Sequence, residues 1–228
     1  MFLRKKDYKP QIRTEVLSII SGFDDETWQT AVTSAISRMT GYLQARFVTA
    51  KIFAPLVPWN IESVYAKDTR IIGTADAYNT TLTYEADDLA VKDNKLYNAN
   101  ATTTGTFDLS KWDFICADES LFYVTATTTT AGTLPTDTSE YTAGDTRTAV
   151  IVETVIDLAV YLLHSNGSRA QMPEARLNRF EMAIDWLKEI RDGKIEDDTL
   201  PIRINEDGTV KGTLFSWGSD ESFNASSW

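Results

Sequence analysis

The residues able to do acid–base or metal chemistry are few and scattered. Asp87-Asp88 and Asp197-Asp198 are adjacent carboxylates. Neighbours on a strand point to opposite faces, so such a pair shares a proton or a metal only where a turn gathers both. Both pairs read as solvated loop charges. Asn205-Glu206-Asp207-Gly208 resembles half of a calcium loop but lacks the closing Glu, and it reads as a turn between Ile202-Arg203-Ile204 and Thr209-Val210-Lys211. The single histidine, His164, falls at the end of an apolar helix, where a C-terminal position facing the helix dipole is the ordinary explanation. The single cysteine, Cys116, lies in Phe114-Ile115-Cys116-Ala117 with no histidine close in sequence to activate it. One Cys and one His exclude a disulfide framework and a multi-Cys/His zinc site within the chain. No phosphate-binding glycine loop, HExxH or GxSxG is present. The expectation is no catalytic residues, no metal, no cofactor and no enzyme.

The 228 residues carry 33 acidic and 22 basic side chains, a net charge of -11, with 43% hydrophobic residues. That composition builds a sizeable core and disfavours a whole-molecule electrostatic grip on phosphate. No apolar stretch follows Arg4, Lys5, Lys6 and Lys9, so no secretory signal is expected. The four cations read as a solvated arm or a contact for an acidic protein. Ala149–Leu163 is the most apolar run, and Glu153 and Asp157 interrupt it, so no membrane span is expected.

Three zones differ in character. Residues 1–49 are net +2, 50–147 net -7 and 148–228 net -6, and 19 of the 30 threonines fall in the middle zone, where β-branched side chains favour extended backbone. In the first zone Trp28, Val32, Ala35, Met39 and Phe47 recur at helical spacing, with Asp24 as N-cap of a helix from Asp25 to Phe47, and Thr14–Ile20 forms a shorter helix before Ser21-Gly22. In the third, a nearly all-apolar helix runs from Thr148 to about His164 and stops at Asn166-Gly167. Another begins at Pro173 and ends at Asp192-Gly193. The predicted fold class is α+β: a core of three to four helices from 1–49 and 148–200, a Thr-rich β domain inserted at 50–147, and a hairpin with an extended arm at 201–228.

Within the insertion, Tyr78–Tyr84, Leu89–Lys92 and Lys95–Ala99 read as strands, with Lys92-Asp93-Asn94-Lys95 as a hairpin turn. Leu96–Phe107 and Phe122–Leu134 resemble each other, each followed by an aromatic, Trp112 and Tyr141, which suggests two similar hairpin units. The first unit also resembles small chitin- and cellulose-binding modules. That resemblance implies a sugar-stacking platform of Tyr97, Trp112, Tyr123 and Tyr141, while the same side chains are the bulk a small β core requires. After Gly212 the tail spaces Phe215, Trp217, Phe223 and Trp228 among Gly, Ser, Asp and Asn. Rings in such a segment either order on a partner or pack back on their own chain.

Gly41–Phe47, Asp157–Leu163 and Arg179–Lys194 together resemble the small head-to-tail adaptor proteins of tailed bacteriophages, including the Mu-like branch. The resemblance implies a homo-oligomeric ring, commonly of twelve copies, below the portal protein in the virion neck. It touches neighbouring neck or tail rings and passes genomic DNA without reading sequence, having assembled in the host bacterial cytoplasm. The insertion and the aromatic tail depart from the adaptor pattern and resemble elaborations in crAss-like podoviruses. The inserted domain as a glycan-binding module is the alternative.

Overall fold

The computed structural model describes residues 1–21, 24–167 and 172–204. The fold is mixed α+β, divided into two compact units: Met1–Asp7 with Ala54–Arg147, and Tyr8–Phe53 with the residues from Thr148 onward.

The helical unit contains α1 (Thr14–Ile20), α2 (Asp25–Leu43), α3 (Thr49–Ile52), α4 (Ala149–Gly167) and α5 (Glu174–Arg191). Asp24 caps α2, its carboxylate accepting the Glu26 and Thr27 amides at 3.2 and 2.8 Å. α2 buries Trp28, Ala31, Val32, Ala35, Met39 and Leu43, one stripe facing α4 and α5. It ends at Leu43, short of the expected Phe47. The Arg46 amide tightens onto the Leu43 carbonyl three residues back, an oxygen it shares with the Phe47 amide, and buried Phe47 bridges Ile202 in antiparallel register. Ile202 thus finds a partner in Phe47. The expected turn and return strand at 205–211 lie outside the described residues. α4 is buried around most of its circumference, and α5 closes at Gly193, whose φ of 72° allows the Lys194 amide to reach the Glu189 carbonyl at 2.9 Å.

The β unit has nine strands: β1 (Leu56–Pro58), β2 (Arg70–Gly73), β3 (Thr83–Tyr84), β4 (Leu89–Lys92), β5 (Lys95–Ala99), β6 (Thr103–Thr104), β7 (Trp112–Ala117), β8 (Ser120–Val124) and β9 (Tyr141–Ala143). They form sheets ordered β1-β2-β8-β9, β4-β5-β7 and β3-β6, and every pairing is antiparallel except β1 with β2. The expected strand from Tyr78 is only its last two residues, because the Asn79 side chain accepts the Thr81 amide at 2.9 Å and turns the chain.

The pairings resolve into one module built twice, the second copy nested in the β2–β8 hairpin of the first. Trp59 donates its amide to Ile72 O and Tyr78 its amide to Val91 O. The Asn60 and Asn79 amides donate to Tyr65 Oη and Tyr84 Oη at 2.7 and 2.8 Å. Asp68 and Asp87, with φ of 66° and 73°, donate their amides to Val124 O and Ala99 O. Trp112 lies opposite Ala99 as Tyr141 lies opposite Val124. The Asp108 and Asp137 carboxylates accept the Ser110 and Ser139 amides in equivalent turns. Where the inner copy closes with Asp93-Asn94, both left-handed (φ 52° and 59°) as this turn demands, the outer copy opens to admit the inner one. The two share a core: Leu96, Ile115 and Cys116 of the inner copy pack with Trp59, Ile71, Phe122 and Tyr141 of the outer.

The N-terminus corrects the sequence reading. Arg4 and Lys6 donate to Glu119 O at 2.8 and 2.7 Å, Phe2 and Leu3 are buried, and Leu56 donates its amide to Met1 O. These two cations are anchors within the β unit, so residues 1–7 belong with it and not with the helices. Arg147, its side chain 1% exposed, donates to Phe2 O, Asp7 and Asp145, each at 2.7 Å. Arg70 donates to Ala54 O and Thr146 Oγ1. The three points where the chain leaves this unit are therefore held by two arginines.

Candidate functional site

On the helical unit, Glu153 and Asp157 stand one turn apart on α4, and Arg179 of α5 forks between them, Nη2 to Glu153 at 2.7 Å and Nε to Asp157 at 2.8 Å. Burial raises the Asp157 carboxyl above its ordinary pKa, and Arg179 offsets only part of that rise. Beside the fork runs a cleft of about 450 Å³, floored by Val150, Thr154 and Ala183 and flanked by Met182 and Trp186. Met182 is 71% exposed, an apolar side chain at the rim of a charged cleft. The helix periodicity that buries Ala183, Leu187 and Ile190 leaves Met182 on the outward side. The surface is therefore an apolar side chain beside an ion-pair fork whose three charged groups are bonded to one another.

The isolated titratable residues have structural work. Asp88 accepts the Glu85 amide at 2.7 Å and Asp197 the Thr199 amide at 3.0 Å, each stabilising a turn. Burial lowers the His164 pKa, with Arg176 adding to it, so the imidazole is neutral at pH 7 rather than a charged partner of the helix dipole. Burial pushes the Cys116 thiol up to about 11. Among the described residues no group of three His, Cys, Asp or Glu side chains is placed to hold a metal, and no helix is long and apolar enough to cross a membrane.

The four side chains of the sugar-platform reading are not brought onto one face. Tyr97 and Trp112 are 8% and 3% exposed in the inner copy, Tyr141 is 1% exposed in the outer, and only Tyr123 is half-buried. Buried rings offer no face to a sugar. Tyr97 and Trp112 instead belong to an aromatic core with Tyr78, Tyr84 and Phe107, centroids 5.0–5.5 Å apart, three rings the sequence reading left out of the cluster. Their recurrence within one short segment was the available signal. Phe215, Trp217, Phe223 and Trp228 lie outside the described residues.

Residues 142–205 match the family model described as Bacteriophage Mu, Gp36. The matched stretch contains α4, α5 and the Glu153–Asp157–Arg179 fork, and the likeness supports a phage protein. No curated protein and no solved structure matches the chain significantly.

Proposed function

We propose that the chain is a structural subunit of a tailed-phage virion, a ring-forming component of the neck that joins portal and head to tail and lets DNA pass. One observation carries this reading: the segment similar to the Mu Gp36 family is the helix pair that presents the Met182–Trp186 cleft. In a ring, each subunit shows one surface to the neighbour on its left and a different one to the right, so a heterologous contact closes on itself without two-fold pairing. An outward apolar side chain beside a fixed charge pair suits one half of that contact. Twelve copies is the number the adaptor resemblance implies, and the portal protein and adjoining rings are the partners.

Native mass measurement and negative-stain imaging of the purified chain, alone and with portal protein, test the reading. The expected result is a closed ring for the natural sequence and loss of the ring in Met182→Glu, a variant whose exposed position leaves the subunit fold intact. A monomer under both conditions overturns it.

A further inference from the structure

The two nested copies in the β unit serve as controls for each other, because whatever the module needs to fold must be present in both. One surface is present in only one. Phe114 pairs with Tyr97 on the inner copy, and its outer counterpart, paired with Phe122, is Ala143. Phe114 is 56% exposed, with Lys95 Nζ 5.8 Å from its ring centre. Lys92 Nζ lies 5.7 Å from the neighbouring Phe107 ring. The outer positions equivalent to Lys92 and Lys95 are Gly73 and Ser120. Phe114 sits on β7, six residues long against three in its counterpart β9, and among the described residues β7 has β5 on one side and no strand on the other. An edge strand with a mostly exposed aromatic ring leaves apolar area and unpaired ladder groups in water, and the outer copy shows that the fold does not require the ring.

We infer that this β7 surface receives the aromatic C-terminal segment of a second copy of the chain. The inference rests on the ring reading above and names one of its contacts. Twenty-four residues follow Ile204 in the sequence, enough to reach about 80 Å when extended. That exceeds the width of a unit of roughly 100 residues, whose radius of gyration is about 13 Å. The segment has Phe215 and Trp217 two apart, the spacing that puts both rings on one side of an added strand, and Asp220-Glu221 follow to meet Lys95 and Lys92, the latter also 3.7 Å from Asp93 Oδ2. Its net charge is -3, opposite to the two lysines.

The test places a benzophenone photocrosslinker at position 114 of the full chain and irradiates a mixture of isotopically light and heavy protein. The expected products join position 114 to residues 211–228, with mixed light–heavy pairs present. Phe215→Ser with Trp217→Ser should lower their yield by at least about tenfold, the loss expected of hot-spot rings. Crosslinks that land elsewhere, or that never pair light with heavy in a sample native mass shows to be oligomeric, overturn this inference and leave the neck reading standing. A sample that is monomeric throughout overturns both.

Discussion

Arg147 ties the N-terminal residues of the β unit to its C-terminal end. Its guanidinium is taken wholly out of water and compensated by two carboxylates and a carbonyl, an arrangement that is stable only while every member is present. Burial alone would raise the Asp7 carboxyl, but donation from Arg147 and Arg4 outweighs it and holds the pKa below the ordinary value. Asp145 is lowered in the same way by Arg147. A depressed carboxylate contributes stability that is present above its unfolded pKa and is lost as pH falls through the folded one. Arg147→Met should therefore cost about 3–5 kcal/mol at pH 7 in urea unfolding. The difference from the natural protein should begin to shrink as pH falls below about 4, the unfolded carboxylate value, and go on shrinking as pH passes through the lower folded values of Asp7 and Asp145. An equal difference at both pH values would show that lost packing, not charge, is responsible. Cys116 gives a second residue-scale expectation: with its thiol near 11, alkylation at pH 8 should be slow in the native chain and fast in urea. Rapid native labelling would contradict its placement in the shared core.

At the scale of elements, the two module copies meet where β2 ends. A side chain on Gly73 would bring its Cβ within 2.5 Å of Cys116 Sγ, so the glycine is required by a close approach. Gly73→Ala should destabilise the β unit by about 1–3 kcal/mol, and most of that cost should vanish in a Cys116→Ala background. Additive costs in the double mutant would place the strain elsewhere. Helices were legible from sequence because their signals are local: Asp24 as cap, apolar spacing along α2, and Gly193 as stop each act within a turn or two. The α2 end was not, since Phe47 keeps the apolar spacing and even the helical bond to Leu43, while Ile202, its strand partner, lies far along the chain. The Thr-rich similarity of Leu96–Phe107 to Phe122–Leu134 exposed only the second half of the nested repeat. Its first half is carried by Asn60, Tyr65 and Asp68 against Asn79, Tyr84 and Asp87, three residues among unrelated neighbours, and only the hydrogen bonds show what they share. Aromatic residue type likewise could not tell a platform from a core. Burial did, because five rings fill a module too small to close over aliphatic side chains alone.

For the whole molecule, charge decides what kind of conduit a ring of this chain would make. Each copy carries -11, so twelve copies would surround a passing duplex with a strongly negative field. Duplex DNA presents about one negative charge per 1.7 Å, and a protein that gripped it would need clusters of Lys and Arg to release its counterions. Here Arg4, Lys6, Arg70, Arg147 and Arg179 are all engaged with carbonyls, hydroxyls or carboxylates of their own unit. In a ring of this chain the net negative field would repel phosphate and favour sliding over sticking. The purified assembly should therefore show no saturable retention of duplex DNA even near 50 mM salt, where phosphate contacts are strong. Tight binding that weakens steeply with added salt would mean a basic surface dominates in the assembled state, and the neck-conduit reading would then give way to a DNA-holding one.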